Sequence, residues 1–284
     1  MSEIYNEEIK LIALDLDGTL FNSDKKISEK NREAVSRAAK KGIIVVPATG
    51  RPFYGISEQV LSLAGIEYIL TTNGAAVYRL SDERCMFEEP MDTERFLEFL
   101  RRAKEYFISC EVFIDGKAYT DEDSVKVWDK MKLGKPMMEY IRSTRIVEDN
   151  LEKFIRCNNK KVQKITMNFA TADDGSKLYR SDIIKLAEEF DDFVWVSGGM
   201  GNVELTRRGI SKGSGLMGLA DMLGIDRKNI MACGDSGNDK EMIIAAGLGV
   251  AMSNAEPEIL ECADYITLSN DEDGVAAVIE KFCM

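Results

Sequence analysis

Two carboxylates one residue apart end an apolar run: Leu11 to Leu20 reads Leu-Ile-Ala-Leu-Asp-Leu-Asp-Gly-Thr-Leu. Asp15 and Asp17 on so apolar a lead-in repel each other unless a cation or a shared proton intervenes, and a bound divalent metal is the simpler remedy. Three other places in the chain offer groups of matching chemistry. Thr49 follows a β-branched run, Lys212 opens a helical stretch, and Gly234-Asp235-Ser236-Gly237-Asn238-Asp239 follows another apolar run. Brought to one sheet edge, these residues would form a pocket of several carboxylates, one hydroxyl and one ammonium. That inventory suits a hard cation, most simply Mg²⁺, holding a phosphate against a carboxylate nucleophile.

The elements needed to position them are legible. Leu11 to Leu14 suits a buried parallel strand. Ser28 caps a helix to about Lys41, with Gly42 beyond its end, and Ile43 to Val46 is a second strand ending in Pro47-Ala48-Thr49-Gly50-Arg51. Ile66 to Thr71 gives a third strand, closed by Thr72-Asn73-Gly74. This rhythm predicts an α/β fold with a doubly wound parallel sheet, whose ligand crevice lies beyond the carboxyl ends of its strands.

The pattern changes near residue 80. Phe113-Ile114, Asp115-Gly116 and Ala118-Tyr119-Thr120 predict a hairpin, because Asp-Gly readily supplies left-handed turn positions. Helical spacing at Thr93 to Tyr106 and Ser176 to Phe190 completes an inserted α+β module over 84–195, between core segments 1–83 and 196–284. Val203-Glu204-Leu205 is read as the strand with which the α/β rhythm returns. Lys117, Tyr119 and Trp128 are candidates to reach a ligand from the module, with core packing an equal alternative.

Composition narrows the chemistry. There is no histidine among the 284 residues, which removes Ser-His-Asp triads, Cys-His dyads and imidazole-ligated zinc. Forty-nine acidic against 37 basic residues give a formal charge of -12, contrary to a nucleic-acid partner. The apolar run Met242 to Met252 is too short to span a bilayer, and the amino-terminal residues lack a basic stretch followed by an apolar one, so the expected location is cytoplasmic with no membrane partner. Six scattered cysteines form no C-x-x-C pair. Gly213 to Gly218 fits G-x-G-x-x-G, but seven residues separate it from the preceding strand, and packing of small residues explains it better.

Taken singly, the acidic pair reads as turn residues, Thr49 as a turn hydroxyl and Lys212 as a solvated charge. Their joint order resembles the haloacid dehalogenase-like (HAD) phosphatase superfamily. The first motif stands as Asp15-Leu16-Asp17-Gly18-Thr19, the second as Thr49 in Thr-Gly-Arg, the third as Lys212, and the fourth as Gly234 to Asp239. The insert between the second and third motifs resembles the type C2B cap of the Cof-like subfamily (type IIB). The resemblance implies that Asp15 is the nucleophile, forming an aspartyl-phosphate, and Asp17 the acid/base. It implies Mg²⁺ held by the Asp15 carboxylate, the Asp17 backbone carbonyl and the Asp235 carboxylate. Thr49, Lys212, Asn238 and backbone amides near Leu16 and Gly50 would hold the phosphoryl oxygens, with Asp239 orienting them. The expected substrate is a small phosphate monoester, a sugar phosphate by resemblance. A phosphomannomutase-type phosphotransferase and a non-catalytic metal- and phosphate-binding regulator are the alternatives, and the oligomeric state stays open.

Overall fold

A computed structural model of the chain describes residues 5, 7–198 and 201–284. Contacts divide it into two compact units, one of Met1–Gly50, Ile56–Phe87 and Ser211–Met284, the other of Arg51–Gly55 and Glu88–Ile210.

The first unit is built on an eight-stranded sheet in the order Tyr265–Ile266, Leu248–Ala251, Ile230–Gly234, Leu11–Asp15, Ile44–Ala48, Tyr68–Thr71, Ala76–Arg79, Arg84–Glu88. Leu11, Ile12, Ala13 and Leu14 are wholly buried, as a strand flanked by parallel neighbours on both sides requires. It pairs in parallel with Ile230–Gly234 on one side and Ile44–Ala48 on the other. Strand order therefore reverses at Leu11–Asp15, and the crevice that such a reversal opens lies beside Asp15, the strand's last residue. The expected α/β fold stands. Its antiparallel extension, where Ala76–Arg79 pairs with Tyr68–Thr71, lies beyond the parallel pattern read from the sequence.

Local chemistry sets the element ends. Ser28 caps helix Glu29–Lys40 by accepting from the Asn31 amide. Ser211 caps helix Lys212–Leu223 by accepting from the Ser214 amide, while the Ser214 hydroxyl accepts from the Ser211 amide. That helix stops at Gly224, whose φ of 67° is left-handed. The two caps differ in consequence, because the second one fixes where Lys212 begins.

The second unit has a six-stranded sheet in the order Phe193–Val196, Val203–Arg207, Lys164–Phe169, Ile108–Ile114, Lys117–Thr120, Arg145–Val147. The expected hairpin turns at Asp115 and Gly116, with φ of 50° and 73°. Val203–Arg207 belongs here, paired antiparallel with Phe193–Val196 and Lys164–Phe169, rather than in the returning α/β core. Its side chains alternate: Val203 and Leu205 join the core of Phe96, Phe99, Val112, Ile165 and Met167, and Glu204 lies opposite. The α/β pattern resumes at Ser211.

The opposite face of this sheet carries buried charge. Arg145 donates to Glu111 at 2.8 and 2.5 Å, Asn168 donates to the other Glu111 oxygen at 2.9 Å, and Lys164 donates to Glu204 at 2.8 Å. Of the three ligand candidates in this unit, Tyr119 lies in the main core. Trp128 lies in a smaller cluster with Val127, Met131 and Ile141, its indole N–H donating to Ser109. Lys117 lies over the Tyr54 ring at 5.4 Å. No helix among the described residues is long and apolar enough to cross a membrane.

Candidate active site

The first and third sequence motifs meet across 197 positions. Lys212 Nζ donates to Asp15 Oδ1 at 2.6 Å and to Asp239 Oδ1 at 2.6 Å. The lysine is 1% exposed, Asp15 5% and Asp239 not at all, so neither ion pair is screened by solvent. Burial alone would pull the ammonium down, but the Asp15 and Asp239 carboxylates outweigh it and hold Lys212 above the ordinary lysine range. Lys212 is cationic here at any physiological pH.

Asp239 also organises the loop before it. Its Oδ2 accepts from the backbone amides of Asp235 and Ser236 at 3.0 and 3.1 Å. Both carboxylate oxygens are thus committed. Gly234 makes this possible, because a Cβ there would stand 2.4 Å from the Asp239 Cβ.

Asp235 turns toward the first motif. Thr19 Oγ1 donates to Asp235 Oδ1 at 2.9 Å. A Cβ on Gly18 would lie 2.3 Å from Asp235 Oδ2, and the Gly18 φ of 96° is itself a glycine conformation. The Gly-Thr after the acidic pair therefore shapes a seat for Asp235, a function the sequence reading did not assign to Thr19.

Asp15, Asp235 and Asp239 each offer an oxygen within 4.8 Å of the others. Burial, with the Asp239 carboxylate beside it, pushes Asp15 well above the usual carboxylate range, opposed by Lys212. Burial and Asp239 likewise raise Asp235 to about 6, opposed by Thr19 and Lys212. Two buried acids and a half-buried third beside one ammonium lack positive charge, and their hard oxygen donors fit a divalent cation such as Mg²⁺. Because both Asp239 oxygens already accept hydrogen bonds, the carboxylates suited to such an ion are Asp15 and Asp235.

The remaining candidates take different positions. The Asp17 carboxylate, 38% exposed, pairs with Lys25 at 2.9 Å. Leu16 is buried, and its carbonyl accepts from the Phe21 amide at 2.8 Å, closing the loop after the first strand. Thr49, 2% exposed, directly follows the second strand and precedes Gly50, its amide donating to the Leu70 carbonyl. Asn238 accepts from the Ser236 hydroxyl at 3.0 Å and donates to Asn73 Oδ1 at 3.3 Å. Asn73 was read only as part of a turn. The adjoining Asn-Gly pair was the available signal, since Asn and Gly tolerate the left-handed backbone found there.

A Rossmann-like sheet with an acidic strand end, a helix-borne lysine and a Gly-Asp-x-x-Asn-Asp loop defines a hydrolase class, and the chain belongs to it. The profile of the haloacid dehalogenase-like hydrolases matches residues 12–279. The chain is 32% identical over 292 residues to "Phosphatase YwpJ" of Bacillus subtilis, covering 96% of this chain and 99% of that protein. It is 29% identical over 277 residues to "5-amino-6-(5-phospho-D-ribitylamino)uracil phosphatase YcsE" of the same organism, covering 98% and 97%. A solved haloacid dehalogenase-like hydrolase from B. subtilis, 32% identical, superposes with a TM-score of 0.81 over 96% of this chain and 99% of that one.

Proposed function

We propose that this enzyme is a Mg²⁺-dependent phosphatase of small phosphorylated metabolites, acting through an aspartyl-phosphate on Asp15. The observation that carries the reading is the Lys212 ammonium shared at 2.6 Å between Asp15 and Asp239. It holds a buried carboxylate, poorly solvated and hence a better nucleophile than one in water, beside a fixed cation that can receive a phosphoryl oxygen.

In the proposed first step an Asp15 oxygen attacks phosphorus as the bond to the leaving oxygen breaks, and Asp17 donates its proton to that oxygen. In the second step Asp17 takes a proton from water, whose oxygen attacks the same phosphorus and restores the Asp15 carboxylate. Thr49, Lys212, Asn238 and the amides near Leu16 and Gly50 hold the phosphoryl oxygens, where transition-state charge is spread. Mg²⁺, held by the Asp15 and Asp235 carboxylates with the Asp17 carbonyl, supplies the charge that lets one anion approach another. Asp239 keeps Lys212 and the Asp235 amide in place.

Phosphorylated sugars and sugar alcohols are the proposed substrate class, supported by the phosphoribityl substrate named for one relative. Six cysteines without disulfides accord with a reducing compartment, and we infer a cytoplasmic enzyme. The test is inorganic phosphate release from a panel of sugar phosphates, ribityl phosphates and nucleotides, with Mg²⁺ or with EDTA, by wild type and Asp15→Asn. Turnover abolished by EDTA and by Asp15→Asn supports the proposal. Turnover that survives Asp15→Asn removes the nucleophile assigned here, and phosphate transfer to a second position of the substrate without net release would favour a mutase.

A further inference from the structure

Thr72-Asn73-Gly74 carries three successive left-handed residues, at φ of 51°, 56° and 93°. Gly suits that region and Asn tolerates it, but a β-branched Thr there is a genuine outlier. Thr72 is also fully buried, with a hydroxyl that finds no hydrogen-bond partner. Strain of this kind persists only where the surroundings over-determine it. Here the surroundings are three pieces of the candidate site.

Gly74 is wedged against the start of the Lys212 helix: a Cβ on it would stand 1.9 Å from the Ser211 carbonyl oxygen and 3.1 Å from the Lys212 nitrogen. The Asn73 amide donates to the Thr49 carbonyl at 3.1 Å. The Asn73 side chain, 3% exposed, accepts from Asn238 Nδ2 at 3.3 Å. Asn238 Oδ1 in turn accepts from the Ser236 hydroxyl at 3.0 Å. The Asn238 amide group is therefore fixed from both ends. Ser236 sets its oxygen, Asn73 occupies one of its two N–H donors, and the second N–H remains for another acceptor.

We propose that Asn73 is a positioning residue for phosphoryl transfer, acting through Asn238 and, by its backbone, through Thr49. It selects the orientation in which Asn238 presents a donor to a phosphoryl oxygen. The left-handed backbone is what aims the Asn73 side-chain oxygen Oδ1 at Asn238 while its backbone amide faces Thr49, so conformation and contact are one device. This inference rests on the phosphatase reading for the identity of the ligand, and on the geometry alone for the coupling.

The experiment is a double-mutant cycle in the full chain with Asn73→Gly, Asn238→Ala and the pair. Glycine keeps the left-handed backbone and removes the side chain that accepts from Asn238; Asn73→Ala, which opposes the backbone, serves as a comparison and should melt at a lower temperature than Asn73→Gly. For Asn73→Gly, kcat should fall about tenfold, the rate equivalent of one hydrogen bond, with KM within about twofold of wild type. Asn238→Ala should cost about a hundredfold. The double variant should match Asn238→Ala alone within about twofold, because Asn73 has nothing left to orient. An unchanged kcat in Asn73→Gly, or losses that multiply in the double variant, would overturn the assignment. Should wild type turn over no phosphate ester, the phosphatase reading fails by itself. The same four proteins then decide the role of Asn73 by their affinity for inorganic phosphate: a loss in Asn73→Gly smaller than that in Asn238→Ala, with the pair no weaker than Asn238→Ala alone, upholds it, and an unchanged affinity in Asn73→Gly or losses that multiply in the pair overturn it.

Discussion

Lys212 donates to Asp239 at 2.6 Å, and the other oxygen of that carboxylate accepts from two backbone amides of the fourth motif. One buried acid thus couples the charge on a helix to the shape of a loop. Asp239→Ala would leave two amides without partners and Lys212 with Asp15 alone. The expected cost is about 3–5 kcal/mol, the range for breaking a buried pair. Urea unfolding measures it, and a cost under about 1 kcal/mol would mean that the loop holds its shape unaided.

Removing the cation instead should make stability depend on pH in a defined direction. In Lys212→Met, the buried Asp15 and Asp239 and the half-buried Asp235 remain without the ammonium. Asp15 and Asp235 already bind protons more tightly folded than unfolded, and losing Lys212 strengthens that tendency. A raised folded pKa gives stability that is complete at low pH and is lost as pH climbs through it. Melting temperatures of Lys212→Met relative to wild type should therefore be higher at pH 5 than at pH 7.5. A flat or opposite difference between the two proteins would contradict the buried acidic cluster.

The same sign governs metal binding. Asp235 titrates near 6 in the folded chain rather than at 3.8, so at pH 5 a proton competes for the oxygens that Mg²⁺ would need. The melting-temperature gain on adding Mg²⁺ should be small at pH 5 and grow toward pH 7.5. Isothermal titration at the two pH values provides a second reading, with proton release detectable near pH 6. A gain independent of pH would direct attention away from Asp15 and Asp235 as the holding groups.

Gly18→Ala tests the seat of Asp235. The substitution imposes a left-handed φ on alanine and drives its Cβ to 2.3 Å from Asp235 Oδ2. Strain of that kind costs about 1–3 kcal/mol, and displacement of Asp235 should raise the Mg²⁺ concentration needed for half-maximal turnover by about tenfold. Ser236→Ala, which touches the same loop without moving Asp235, should leave that concentration within about threefold. Equal effects from the two would remove Gly18 from the argument.

How far the sequence carries the structure depends on where the deciding contacts lie. The strand ending at Asp15, the Ser28 cap, the helix opening at Lys212 and the Asp115-Gly116 turn are local events, and each stands where residue type and spacing put it. The pairing of Lys212 with Asp15 spans 197 positions, which no periodicity encodes; only the family resemblance joins the two. Asn73 escaped notice because an Asn-Gly turn looks the same whether its side chain faces water or Asn238. Val203–Arg207 pairs in the second sheet and not the first, a placement its residues leave open because a short alternating strand does not say which neighbours it pairs with. The helices Lys135–Thr144 and Leu151–Cys157 had no counterpart in the sequence reading, their stretch mixing apolar residues with charge and lacking a clean stripe.

The polar face of the second sheet was the least legible feature, since buried Glu111, Lys164, Thr166 and Asn168 alternate with apolar neighbours just as a solvent-facing side would. Their burial makes a prediction that exposure would not. Glu111 is wholly buried and receives Arg145 through two nitrogens and Asn168 through a third. Glu111→Ala should then cost about 3–5 kcal/mol, because it strands the buried Arg145 guanidinium, whereas a pair open to solvent would cost at most about 1 kcal/mol. Replacing both partners with leucines should recover most of the loss, since what destabilises the single variant is the uncompensated charge rather than the missing bond. Urea unfolding of the two variants, with hydrogen exchange followed on Ile108–Ile114 and Lys164–Phe169, reads the effect where it arises. A single variant that unfolds like wild type, or a double variant as unstable as the single one, would show that Arg145 and Glu111 contribute to this sheet through something other than their buried charge.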